Sequence, residues 1–145
     1  QLLYKEGQYA RIASLTPLDV IDPDYTEKVI IRTLDEVVSE YSISEIDLLK
    51  IDVEGHELDV IKGAQNTLSL RKIKFLQFEL GGASIQTNTT LKDIYDVLSK
   101  YGYRLYLISR RGIVPLDTYD YQLEQYSTTN FFAELGAKAS MESNP

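Results

Sequence analysis

Ile46-Asp47-Leu48-Leu49-Lys50-Ile51-Asp52-Val53-Glu54-Gly55-His56-Glu57 passes from an apolar run through spaced acids to a glycine and on into a helix-forming segment. The apolar part, residues 46–53, does not alternate, which suits a strand covered on both faces, as in a parallel sheet. Gly55 ends it, and a helix is expected over 56–70 with Leu58, Ile61, Ala64 and Leu68 as its inward stripe. Side chains alternate along a strand, so Lys50, Asp52 and Glu54 share one face. A strand that ends in acids just before a helix delivers them to the carboxyl edge of the sheet, where open α/β sheets bind ligands. Asp52 stands at the mouth of that crevice, with Lys50 one step deeper as its charge partner.

Downstream, residues 73–80 read as the next strand, ended by Gly81-Gly82, with Glu79 projecting onto the same rim. Thr90 caps a helix over 91–101, and Gly102 stands where a left-handed helix terminator belongs. Residues 103–109 form a strand, Arg110-Arg111-Gly112 a turn, 119–126 a short helix, 129–135 a last strand and 136–145 a frayed tail. Upstream, Thr33-Leu34-Asp35-Glu36 is a capping-box pattern that starts a helix ending near Tyr41. Residues 28–32 are β-branched and strand-like, 16–27 a loop, and 1–14 two extended pieces around a turn at Gly7. Gly63 costs about 1 kcal/mol inside a helix relative to Ala, so a close helix–sheet approach is expected there. Right-handed crossovers place the strands at 46, 73 and 103 parallel in one sheet, with the last strand antiparallel. The organisation expected is one α/β domain over 1–135 and a flexible tail over 136–145.

Composition narrows the chemistry. The 145 residues include no cysteine, which removes disulfides, thiolate-held metals and thiol catalysis. A net charge of −7 disfavours a nucleic-acid partner, which needs a clustered basic face. No apolar run approaches the roughly 18–20 residues of a membrane span, and no secretion signal opens the chain, so the location expected is cytoplasmic. Gln1 opens directly into a strand-like run without Met, as in a piece of a longer protein.

Lys50-Ile51-Asp52-Val53-Glu54-Gly55-His56-Glu57 resembles the signature K-I-D-V-E-G-x-E of the FkbM family of S-adenosylmethionine-dependent methyltransferases. Arg32-Thr33-Leu34-Asp35, Val60-Ile61-Lys62-Gly63-Ala64, Phe78-Glu79-Leu80 and Tyr101-Gly102-Tyr103 fit the same family, and the resemblance runs from about Gly7 to Leu135. It implies a Rossmann-like class I methyltransferase sheet, mostly parallel with an antiparallel final strand. Such sheets carry an Asp-x-Gly-x-Asn-type cofactor loop after their first strand. This chain has none, so it resembles the C-terminal half, without the N-terminal cofactor-loop half. The resemblance implies S-adenosylmethionine as donor and a hydroxyl on a sugar, glycan or secondary metabolite as acceptor.

Within that frame Asp52 lines the transfer site, facing the cofactor and acceptor, or is a strand-end carboxylate paired with Lys50. Glu54 orients substrate or holds the loop. His56, the only histidine, has an unperturbed pKa near 6.5 that suits a base, although a first-turn helix residue is often simply exposed. Glu79 and Lys50 are the acceptor-side candidates, Lys50 chiefly as counter-ion. Glu57 and Asp59 read as acids favoured by the helix dipole. Tyr95 and Tyr101 read as core, while Tyr119, Tyr121 and Tyr126 form a candidate acceptor wall. Nothing in the acid spacing requires a metal. Two other classes fit part of the pattern. One is a non-catalytic partial domain that binds a partner through a sheet edge. The other is a receiver-like phosphoacceptor domain at Asp52, which lacks the paired acids of such domains.

Overall fold

The computed structural model describes residues 2–5, 13–14, 26–124 and 127–137. The expected turn at Gly7, most of the expected loop over 16–27, Tyr126 and the tail beyond residue 137 lie outside the described residues. Three short strands come first: β1 (Leu2–Lys5), β2 (Ala13–Ser14) and β3 (Thr26–Lys28). β1 lies in the middle and pairs antiparallel with both neighbours. The strand expected over 28–32 therefore stops early. Lys28, paired with Leu2, ends β3, and Ile30 stands 92% exposed.

α1 (Leu34–Glu40) forms with the expected capping box: the Glu36 N–H donates to Thr33 Oγ1 at 3.2 Å and the Thr33 N–H to the Glu36 carboxylate at 2.8 Å. Then come β4 (Ile46–Ile51), α2 (Glu57–Lys62), α3 (Gln65–Ser69), β5 (Ile73–Leu80), α4 (Ala83–Gln86) and α5 (Leu91–Lys100). β6 (Tyr103–Ser109), β7 (Gly112–Leu116), a 3-10 turn at Tyr121–Leu123 and β8 (Thr129–Leu135) complete the described chain. The single helix expected over 56–70 is two, broken at Gly63 and Ala64. The start of α1 causes the break. The Asp35 N–H donates to the Gly63 carbonyl at 3.0 Å, and the Asp35 carboxylate accepts the N–H groups of Asn66 and Thr67 at 2.9 Å, opening a second helix. Gly63 thus permits a close approach to Thr33, whose Cβ would lie 3.4 Å from an added Cβ, rather than to the sheet.

The main sheet has five strands in the order β4-β5-β8-β6-β7. Only β4 and β5 pair parallel; β5–β8, β8–β6 and β6–β7 are antiparallel. This corrects the mostly parallel sheet expected. β4, β5 and β6 do run the same way, but the final strand inserts between β5 and β6 instead of closing an edge, so it converts a parallel neighbour pair into two antiparallel ones. β7 was not expected. It extends a hairpin from β6 and carries Pro115, which an edge strand tolerates because no ladder bond is needed on its outer side.

One face of the sheet is packed. Leu76, Phe78 and Leu80 of β5, Phe131 and Ala133 of β8 and Leu105 of β6 meet Leu58, Ile61, Leu91, Ile94 and Leu98 of the helices, all nearly inaccessible. Phe78 and Phe131 stack across the β5–β8 pair with centroids 5.3 Å apart. The opposite face is more open, and Leu48 of β4 is 53% exposed. β4 is therefore not covered on both faces among the described residues. Gly136, where the tail is expected to start, is held in place: its N–H donates to the Gly102 carbonyl at 3.0 Å and Arg71 donates to the Gly136 carbonyl. Among the described residues no helix is long and apolar enough to cross a membrane.

Candidate active site

The parallel register of β4 on β5 pairs Lys50 with Gln77 and Ile51 with Phe78, which carries Asp52 level with Glu79 at the carboxyl ends of both strands. These two acids, with Glu54, Glu57 and Thr128, line a cavity of about 50 Å³. Lys50 Nζ donates to Asp52 Oδ2 at 2.5 Å, and both side chains are about half exposed, so Asp52 opens to solvent. Lys50 flanks the cavity as a surface ion pair rather than as a part-buried group. Glu79 is held from the other side: Asn130 Nδ2 of β8 donates to Glu79 Oε2 at 3.0 Å, and Gln77 Nε2 donates to Asn130 Oδ1 at 3.3 Å.

The turn from β4 into α2 is tightly built. Glu54 has φ of 51° and Gly55 φ of 98°, two successive residues in the left-handed region that favours glycine. A Cβ at Gly55 would also lie 2.7 Å from the Ala83 carbonyl oxygen. The Thr87 and Thr89 hydroxyls donate to the Gly55 carbonyl at 2.6 and 3.2 Å, tying the turn to the chain that follows α4. Glu57 is only 2% exposed, and its Oε1 accepts the N–H groups of Val53 and Gly55 at 3.3 and 3.2 Å. Its role is therefore to clamp the turn from inside, beyond the helix-dipole preference that its position in the first turn suggests. The signal for this was an acid two residues after a turn glycine, where a carboxylate can reach back to a free N–H.

Glu54 responds to its surroundings. Burial first, then the charges of Asp52, Glu79 and Glu57, push the Glu54 carboxyl above its ordinary value. The bond to Asp52 holds Lys50 above its own. His56 lies elsewhere, on a cavity of about 440 Å³ with Ile30, Arg32 and Val53, its Nδ1 2.9 Å from Asp59 Oδ2. The fold thus brings together Asp52, Glu54 and Glu79, sets Lys50 at their edge, and turns His56 to another surface. Among the described residues no group of three His, Asp or Glu side chains is arranged to hold a metal.

A second cavity of about 370 Å³ adjoins the acidic one, and Gly81 lines both. Tyr119 lines it, with its hydroxyl donating to Glu124 Oε1 at 2.8 Å. Tyr121 is 73% exposed and does not line it. Ser84, Thr89 and Thr90, which also line it, carry no periodic signal in the sequence and become neighbours only through the loop that connects β5 to α5.

Strand-end acids across a β4–β5 parallel pair, followed by a clamped glycine turn, are the geometry the signature octapeptide encodes. The family model for the methyltransferase FkbM domain matches residues 5–105. The chain belongs to that family. No curated protein matches it, and no solved structure does. The FkbM match covers the acid-bearing turn, α5 and the start of β6, and ends before β7 and β8.

Proposed function

We propose that the chain takes part in methyl transfer from S-adenosylmethionine to a hydroxyl oxygen of a sugar or secondary metabolite. Membership of the FkbM methyltransferase family supports the class of reaction. The observation that carries the oxygen-directed reading is Asp52 and Glu79 converging on one small cavity with Glu54, a carboxylate whose proton affinity is raised. The described residues suit the cationic end of the donor: acids surround a space of about 50 Å³, which admits a small charged group but not an adenosyl moiety.

Bound there, the donor supplies an electrophilic methyl that needs little further activation. The remaining work falls to the chain. Asp52, anchored by Lys50, accepts a hydrogen bond from a neighbouring hydroxyl of the acceptor and so aims the reacting oxygen, whose own proton faces Glu54. Glu54 takes the hydroxyl proton as the oxygen gains its methyl group, a role that its raised proton affinity favours. Glu79, held by Asn130, keeps the far rim negative. The Glu57 clamp and the two threonine hydroxyls keep these acids in place before substrate arrives.

The test is turnover with labelled donor. Asp52→Asn is expected to lower turnover by about 10²-fold or more while donor affinity, followed by calorimetry, changes little. Unchanged turnover removes Asp52 from the mechanism. A second reading, a non-catalytic interaction module, is favoured by the half-exposed Leu48 on β4. It predicts that donor binding and turnover stay absent even when the chain is joined to a cofactor-loop half.

A further inference from the structure

The 370 Å³ cavity beside the acids falls in the size range of small-molecule sites, roughly 300–1,000 Å³. It sits at the carboxyl end of the sheet and shares Gly81 with the acidic cavity, so a molecule in one can extend toward the other. Its floor is apolar, from Leu80 and the fully buried Phe131. Its walls carry hydroxyls and an amide, from Ser84, Asn88, Thr89, Thr90 and Thr129, beside apolar Ile85 and Leu123. One wall, formed by Tyr119, Leu123, Glu124, Thr129 and Phe131, comes from beyond the part of the chain that the family model matches.

Charge decides what the cavity accepts. Among the described residues, Lys92 and Glu124 are the only charged side chains on its walls. Lys92 Nζ is paired with Asp96 Oδ2 at 2.5 Å and lies 5.6 Å from the Tyr119 ring centroid. The N-terminus of α5, which would attract an anion, is already filled: Glu124 accepts the N–H groups of Leu91 and Lys92 at 3.0 and 2.9 Å. Nothing positive is left in surplus. A phosphate or carboxylate entering here would meet the Glu124 carboxylate.

We propose that this cavity binds the body of the acceptor, and that the acceptor is an uncharged polyhydroxyl compound with an apolar face, such as a glycoside, rather than a phosphorylated sugar or an acid. This rests on the methyl-transfer reading and deepens it. Glu124 acts as a built-in anion that closes the helix terminus and selects against charged acceptors.

The probes are a panel of phenyl hexopyranosides and their phosphate monoesters, titrated into the full chain and followed by amide NMR shifts. Neutral members are expected to shift the amides of Ser84, Ile85 and Thr90, with the phosphate esters at least about tenfold weaker, a difference of about 1.4 kcal/mol. Ile85→Trp, at a half-exposed wall position, is expected to abolish those shifts and leave the remaining spectrum intact. Glu124→Gln is expected to let the phosphate esters bind. Equal or tighter binding of the esters to the native chain overturns the neutral class, and an absence of shifts at these amides with every neutral member overturns the site. Donor calorimetry and Asp52→Asn turnover read the methyltransferase assignment separately. Turnover that is lost in Asp52→Asn but indifferent to Ile85→Trp keeps that assignment and discards this cavity.

Discussion

Gly55 is held in a conformation that other residues enter only under strain, with the Ala83 carbonyl where a side chain would begin. Gly55→Ala is expected to destabilise the fold by about 1–3 kcal/mol from the backbone alone, seen as a lower denaturation midpoint. Glu54, one residue earlier, is strained as well as acidic. Its carboxyl is pushed upward by burial and by its acidic neighbours, so it ionises in the unfolded chain before it does so in the folded one. Stability associated with this group is present at low pH and lost as pH rises through the folded value. Glu54→Gln is therefore expected to raise the melting temperature at neutral and alkaline pH while turnover falls and loses its rising acidic limb. A turnover profile that keeps that limb assigns the proton to another group. The raised proton affinity and the instability share their causes, burial first and then the neighbouring acids.

Among the elements, the junction of α1 with α3 shows how one carboxylate shapes a helix pair. Burial pushes the Asp35 carboxyl upward, but the Thr67 hydroxyl and the N–H groups of Asn66 and Thr67 outweigh this and hold it below the ordinary value. The stability it gives is present above the unfolded value and lost as pH falls through the folded one. Asp35→Ala is expected to cost about 1 kcal/mol at neutral pH, as the loss of a helix cap does, and to flatten the acid side of the stability profile. Thr33, Thr90 and Gly102 were legible as helix boundaries because capping is local and each partner lies within a turn. The break at Gly63 was not, because its cause is Asp35, 28 residues earlier in the chain. β7 escaped notice for a similar reason, since Ile113, Val114 and Leu116 are strand-like only beside β6.

For the molecule as a whole, β6 is locked to β5 by more than the intervening strand: the Tyr103 hydroxyl donates to the Ile73 carbonyl at 2.6 Å. Burial pushes the Tyr103 pKa up to about 12 from 10.0, so the unfolded chain ionises first as pH rises. The native protein is expected to lose stability between those two values, and Tyr103→Phe is expected to lose less over the same interval in denaturant titrations. The sequence by itself determined the local features: the acid-tipped β4, the glycine turn, the capped helices and the family. Each depends on residues a few positions apart, whose spacing sets which side chains share a face. Only the tertiary structure decided that the last strand enters the middle of the sheet, that Glu57 turns inward as a clamp, and that His56 faces away from the acids. It also decided that Leu80 and Thr90 come to line one cavity with Tyr119 and Phe131. These follow from pairings and packing between segments distant in the chain, where burial and hydrogen-bond satisfaction choose among arrangements that local pattern leaves equivalent.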